Sequence, residues 1–280
     1  MFNKKRLIAL LTGTLLVGSL VSGCGSAGAN STSGSSSSKI TVSGSTSVGP
    51  TMEILAEDYQ KENDTTTIEV QQVGSSAGIT NTIDGTSQIG ISSRDLKDEE
   101  KSELKEYQIA IDGIAVITNS ANKVKDLTLQ QVKDIYTGKI TNWKEVGGAD
   151  AEIVVVSRED GSGTRDGFQE IVGFESKDLT SNAQISDGSG NIKTTVQGNE
   201  NAIGYISFGY LDDSINAVKI GGVEPKEENV YNDKYPISRP FLLVTKGEAS
   251  GDAKSFIDYV LSDAGQKTIE KQGFMSVNQK

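Results

Sequence analysis

An α/β architecture with mixed or mainly parallel sheets is predicted by three observations. A unit of short apolar strand, small-residue turn and amphipathic helix recurs along the chain, and 31 glycines against four prolines supply many tight turns. No period of about 20 to 50 residues repeats, which excludes a solenoid.

The elements follow in order. Residues 40–42 read as a strand; the turn Gly44-Ser-Thr-Ser-Val-Gly-Pro50 leads into a helix over 50–63, with Pro50 suited to a first helical position. Residues 68–73 alternate as a strand, Gly74-Ser75-Ser76 turns, and a short helix covers 77–83. A strand over 89–91 is followed by Ser92-Ser93-Arg94-Asp95 and a charged helix over 98–105. Residues 113–118 form an apolar strand, and Leu129, Val132 and Ile135 recur at helical spacing within 128–136. The β-branched run 153–156 predicts a buried strand that opens into Ser157-Arg-Glu-Asp-Gly-Ser-Gly-Thr-Arg-Asp-Gly-Phe168. A helix over 191–197, strands over 203–207 and 240–245, and helices over 252–262 and 264–271 complete the chain. Trp143 ends an apolar helix-turn segment without aromatic neighbours in sequence, which assigns it to packing.

Composition closes off several chemistries. The 280 residues contain no histidine and one cysteine, so a Ser-His-Asp triad, a Cys-His pair, imidazole-ligated zinc and an internal disulfide are all excluded. With 27 basic and 38 acidic residues the formal charge is −11, which lacks the positive footprint of a nucleic-acid binder. The length suits one large or two modest domains.

The first residues read as an address. Lys4, Lys5 and Arg6 precede an apolar run over 7–21, about as long as a signal-peptide core and short for a spanning helix. Val21-Ser22-Gly23-Cys24 resembles the bacterial lipobox, in which the cysteine is lipidated and becomes the first mature residue; an uncleaved signal anchor is the alternative. Removal of residues 1–23 takes away three positive charges and no negative ones, moving the formal charge from −11 to −14. Ten of the fifteen residues over 24–38 are serine or glycine, the composition of a flexible tether. The Ser36-x-x-Lys39 match to serine penicillin-recognising enzymes lies in this low-complexity stretch with no partner motif downstream.

Four turns share small hydroxyl residues and glycines at a strand-to-helix junction: Ser45-Thr46-Ser47, Ser75-Ser76, Ser92-Ser93-Arg94, and Arg158 with Ser162-Gly163-Thr164. A helix start offers unsatisfied N–H groups and the positive end of a dipole, glycine permits close approach, and hydroxyls add rotatable donors. Together they describe a cage for an oxyanion, although each turn alone is also ordinary capping chemistry. Neither GxxxxGK[ST] nor a strand-linked GxGxxG is present, so these turns do not match a nucleotide site.

Arg158-Glu-Asp-Gly-Ser-Gly-Thr164, with Gly44-Ser-Thr-Ser-Val-Gly-Pro50, Gly74-Ser-Ser-Ala-Gly78 and Asp134-Ile-Tyr-Thr-Gly-Lys-Ile-Thr-Asn-Trp143, resembles the phosphate-binding proteins of bacterial phosphate-specific ABC transporters, from about Lys39 to the C-terminus. The resemblance implies a two-lobed periplasmic-binding-protein fold of type II, with lobe 1 built from 39–112 and 236–280, lobe 2 from 113–235, and the ligand cleft between them. It implies a receptor that passes inorganic phosphate to the permease's transmembrane subunits; we expect it to be non-enzymatic and monomeric, without metal or cofactor, and the lipobox places a lipid anchor at Cys24 on the extracytoplasmic face of the cell membrane. Carried over residue by residue, Thr46, Ser47 and Ser75 meet the phosphate from lobe 1, and Arg158, Ser162, Gly163 and Thr164 from lobe 2. Asp160 either orients Arg158 or stabilises the turn. One departure stands out: where better-known members carry a carboxylate that accepts the proton of hydrogenphosphate, this chain has Ser93 followed by Arg94. Arg94 then adds a donor, and Asp112 or Asp95 supplies the acceptor; alternatively Arg94 and Asp95 cap the next helix and Asp112 is a hinge residue. Other functions compatible with the residues are a receptor for sulfate, molybdate or tungstate, a surface phosphatase or phosphotransferase using a serine of Gly-Ser-Gly-Thr, and a surface adhesin or signalling protein.

Overall fold

The computed structural model describes residues 38–279, so the expectations for the leader, Cys24 and most of the tether lie outside the described residues. The first segment runs β1 (Ser38–Gly44), α1 (Gly49–Glu62), β2 (Thr66–Gln72), α2 (Ser75–Ile83), β3 (Ile89–Ser92), α3 (Asp98–Lys101) and β4 (Leu104–Asn119). The middle segment continues with β5 (Asp126–Leu127), α4 (Leu129–Tyr136), β6 (Val154–Arg158), α5 (Gly163–Val172), β7 (Gln184–Ser186), α6 (Gly188–Gln197), β8 (Ala202–Ser207), β9 (Ile215–Ala217), β10 (Lys219–Ile220) and α7 (Glu227–Tyr231). The chain ends with β11 (Ser238–Lys246), α8 (Gly251–Leu261), α9 (Asp263–Lys271) and β12 (Met275–Ser276). This is the mixed α/β fold expected. Among the described residues no helix is long and apolar enough to cross a membrane.

The principal sheet runs β2-β1-β3-β11-β4-β8-β6-β7. Pairing is parallel for β1 with β2 and β3 and for β6 with β7 and β8, and antiparallel wherever β4 and β11 take part. Of the parallel strands, β1, β2, β6 and β7 are each followed within a few residues by the start of an α-helix, the arrangement in which open α/β sheets bind ligands.

One expectation fails here. Residues 102–105 are not helical: α3 stops at Lys101, and β4 begins at Leu104 and runs for 16 residues. Lys105 and Glu106 look like the exposed face of a helix, but both pair with β11, whose Thr245 and Val244 oppose them in register. The backbone bonds offered by that partner strand decide the conformation, and no local pattern carries them.

Apolar side chains gather into two main cores within one compact unit. In the first, Met52, Leu55, Phe256, Ile257 and Val260 of α1 and α8 cover Val42, Ile89, Ile91 and Leu243. In the second, Ile114–Ile117 of β4 meet Val132, Tyr136, Val156, Phe168, Ile192, Val196 and Tyr205, with Phe168 stacked on Tyr205 at 4.0 Å between ring centroids. Trp143 is buried there, as expected, and its indole N–H donates to the Asn201 carbonyl at 2.9 Å. β4 passes from the first core at Ala110 to the second at Ile114, and β11 returns between Ile237 and Phe241.

Where those strands run side by side, Asp112 and Arg239 are register partners and both are buried. Arg239 donates from Nε at 3.0 Å and Nη2 at 2.8 Å to Asp112 Oδ2, while Oδ1 accepts from Ser207 Oγ at 2.9 Å and Phe208 N at 3.1 Å. Burial pushes the Asp112 carboxyl up and the Arg239 guanidinium down, and their mutual attraction opposes both shifts. Asp112→Ala leaves a buried guanidinium without its counter-charge, and we expect a loss of about 3–5 kcal/mol in urea unfolding. Asp112→Ala combined with Arg239→Met is expected to recover much of it; a double variant as unstable as the single one would show that the pair's charges are not what the strands depend on.

Candidate functional site

The four turns singled out in the sequence meet at the ends of β1, β2, β3 and β6. Gly44 makes this possible: its φ is +144°, a Cβ there would stand 2.1 Å from the Ile91 carbonyl oxygen, and its own carbonyl accepts from Val73 N at 2.9 Å and Gly74 N at 2.8 Å. Ser45 Oγ accepts from Ser47 N at 3.2 Å and Val48 N at 3.4 Å, shaping the entry to α1, and donates to Ser93 Oγ at 2.9 Å. Ser75 Oγ lies 3.3 Å from Ser93 Oγ and accepts from Ser93 N at 3.1 Å.

From the second core, α5 points its N-terminus at the same place. Ser162 is its N-cap, accepting from Arg165 N at 3.3 Å, and a Cβ on Gly163 would stand 2.3 Å from Ser75 Oγ and 2.7 Å from Ser93 Oγ. Ser47 Oγ and Thr164 Oγ1 are 2.9 Å apart, and Ser76 N donates to the Gly161 carbonyl at 3.1 Å. Arg158 donates from Nη2 to Thr46 Oγ1 at 2.8 Å and from Nη1 to Thr164 Oγ1 at 3.2 Å. Among the described residues, no backbone carbonyl accepts from the N–H groups of Thr46, Ser75, Gly163 or Thr164. The structure thus brings together Thr46, Ser47, Ser75, Ser93, Arg158, Ser162, Gly163 and Thr164. Convergent hydroxyls, free amides and one guanidinium edge can hold a small tetrahedral oxyanion.

Three expectations are corrected. Asp160 does not orient Arg158: its side chain is largely exposed and pairs with Arg165 Nη1 at 2.7 Å. Glu159 takes that place, with Oε2 2.7 Å from Arg158 Nε and Oε1 2.6 Å from Nη2, and it also accepts from Gly188 N at 3.4 Å. Arg94 does not point into the cage: Glu100 holds it by two bonds of 2.7 and 2.8 Å, Asp166 accepts from its Nε at 3.0 Å, the Asp95 carbonyl accepts at 2.8 Å, and its one bond toward the turns is a long one to Ser76 Oγ at 3.4 Å. Asp112 has no face left for a ligand, since Arg239, Ser207 and Phe208 take both its oxygens, and the Asp95 side chain is exposed.

Several participants were not anticipated. Arg239 Nη1 donates to the Ser93 carbonyl at 3.0 Å, Arg165 Nη1 to the Arg158 carbonyl at 3.1 Å, Tyr210 Oη to the Thr46 carbonyl at 3.2 Å, and Tyr205 Oη accepts from Arg158 N at 3.1 Å. One signal was available. The described residues contain four arginines, all buried, whereas every buried cation in them is an arginine and none a lysine. In a lysine-rich chain an arginine marks a buried, multiply bonded position.

Burial pushes the carboxyls of Glu100 and Glu159 up, but the bonds and charge of Arg94 and Arg158 outweigh it and hold both below the ordinary value of 4.5. A depressed carboxyl stabilises the fold above its unfolded value and loses that contribution as pH falls through its folded value. We therefore expect stability to fall with acidification below about pH 4.5. Unfolding midpoints between pH 7 and pH 3 test this, and Glu159→Gln is expected to flatten the decline.

A family description, the PBP superfamily domain, matches residues 29–264. The chain is 38% identical over 245 residues to the phosphate-binding protein PstS of Bacillus subtilis, covering 85% of this chain and 80% of that protein. It is 30% identical over 250 residues to PstS of Borreliella burgdorferi, covering 85% and 90%. Among solved structures, a Clostridium perfringens substrate-binding protein, assigned to phosphate ABC transport and crystallised with phosphate bound, is 63% identical with a TM-score of 0.83, covering 85% of this chain and 99% of that one. An ABC-type phosphate transport receptor from Vibrio cholerae is 38% identical with a TM-score of 0.76, covering 85% and 100%.

Proposed function

The chain belongs to the PBP superfamily and, within it, to the PstS-type substrate-binding proteins of phosphate ABC transport, and on that premise we propose that it is an extracytoplasmic receptor that binds inorganic phosphate and delivers it to an ABC importer. The observation that carries this reading is the convergence of Thr46, Ser47, Ser75, Ser93, Arg158, Gly163 and Thr164 on one cage between the two cores. Residues 39–112 with 236–280 form one lobe and 113–235 the other, and the lobes close over the anion. Cys24 carries the lipid that tethers the receptor to the membrane, and the protein acts as a monomer.

The ligand leaves unchanged. The relatives are binding and transport proteins by name, and Ser162 Oγ, the nucleophile an enzyme reading needs, is engaged as a helix cap rather than held by a base.

Ser93 takes the part of the proton acceptor. Ser45 Oγ spends its lone pairs on Ser47 N and Val48 N, so its proton points at Ser93 Oγ. Ser93 Oγ can pass its own proton to Ser75 Oγ and keep a lone pair for the P–OH of hydrogenphosphate. Sulfate has no proton to offer. The difference is one neutral hydrogen bond, about 1 to 1.5 kcal/mol, so sulfate is expected to bind roughly tenfold more weakly, a narrower margin than a carboxylate would impose.

Calorimetric titration of the phosphate-stripped protein tests the reading. We expect phosphate to bind, Arg158→Ala to weaken binding by about 10- to 150-fold, since a charge-assisted pair contributes about 1.5–3 kcal/mol and its loss also leaves Glu159 unpaired, and Ser93→Ala to narrow the gap to sulfate. Absence of phosphate binding, or an unaffected Arg158→Ala, would sink the receptor reading at this cage; sulfate binding as tightly as phosphate would sink the selectivity and favour a general oxyanion receptor.

A further inference from the structure

Arg94 stands beside the cage and touches only its rim, through one long bond from Nη2 to Ser76 Oγ at 3.4 Å, while its short bonds point elsewhere. It follows β3 on the side of the first core and is almost fully buried. Glu100 holds its outer edge through both Nη1 and Nη2, which leaves Nε to reach 3.0 Å to Asp166 Oδ2 on the first turn of α5, on the side of the second core. The other buried arginines pair differently: Arg158 with Glu159 and Arg165 with Asp160 lie within one side, and Arg239 with Asp112 lies on the connecting strands.

We propose that Arg94 and Asp166 form a latch, an ion pair across the seam between the two lobes that holds the closed form and slows release of the bound anion. This rests on the receptor reading above. Glu100 fixes the guanidinium in place, so closing the seam costs little side-chain entropy on the Arg94 side and the Asp166 bond is gained only when the lobes meet. Asp166 is about one-third exposed, so the bond can break without opening a deeply buried charge. A latch of this kind acts on the closed fraction, and the apparent dissociation constant rises in proportion as that fraction falls.

The sign of the effect separates a latch from a simple field effect. Asp166 is a carboxylate on the first turn of the helix whose N-terminus supplies Gly163 and Thr164 to the cage. Through its charge alone it repels the anion and opposes the helix's attraction for it, so neutralising it should tighten binding. Loss of a latch weakens binding instead.

The test is Asp166→Asn, which keeps the side chain's size and leaves Arg94 paired with Glu100. In phosphate-free buffer, hydrogen exchange is followed at the Ser76 amide, which donates to Gly161 across the same seam. Inorganic phosphate binding is then measured by calorimetry and release by stopped flow. We expect Ser76 to exchange several-fold faster than in the wild type, with the interior amides of β1 and β8 unchanged, and phosphate to be released about tenfold faster and bound about tenfold more weakly, a loss of 1.4 kcal/mol. Unchanged Ser76 exchange, binding that is unchanged or tighter, or acceleration spread through β1 and β8 would each overturn the latch. If the wild type binds no phosphate, the receptor reading fails separately and the exchange comparison alone decides whether the seam is latched.

Discussion

Each of the four arginines around the cage is buried, and each is held by a carboxylate of the same chain. A guanidinium out of water must be paired, and the pairing then fixes whatever else it touches. Glu159 turns Arg158 so that its remaining edge meets Thr46 and Thr164. Arg165 supports the Arg158 carbonyl, Arg239 holds the Ser93 carbonyl, and Arg94 ties the two sides together. The positions of the hydroxyls and amides that face the cage follow from these pairs.

The same pairing explains how an acidic chain accommodates an anion site. Five carboxylates, Glu100, Asp112, Glu159, Asp160 and Asp166, accompany the four guanidinium groups, so the ionised side chains around the cage bring no excess of positive charge. What remains for the ligand is a set of aimed donors at the starts of α2 and α5 and in the turn before α1. Preorganised dipoles of this kind act at short range and in a water-poor site, where they count for more than net charge does in the far field. A formal charge of −11 is therefore no obstacle to holding an oxyanion.

The turns were legible in the sequence because their residue types have few other uses at those places. A Gly-Ser-Gly-Thr run after a β-branched strand predicts a helix start open to an anion, and α5 begins there with Ser162 as its cap. The partners of the arginines were not legible. Glu159 and Asp160 are adjacent carboxylates beside Arg158, and only the path of the chain beyond β6 decides which turns inward to it and which outward to Arg165. Arg94 read equally well as a ligand donor, because Glu100 and Asp166 reach it from elements that sequence alone does not bring together. The first half of β4 was missed for the same reason: Lys105 and Glu106 are strand residues only because β11 returns beside them after more than 130 intervening residues.

The most direct measurement is a crystal structure of this protein with phosphate bound. We expect one phosphate among Thr46, Ser47, Ser75, Ser93, Gly163 and Thr164, with Arg158 donating to it, while Arg94 stays with Glu100 and Asp166 and Arg239 stays with Asp112. A phosphate bound directly by Arg94 or Arg239, or bound outside this cage, would contradict this expectation.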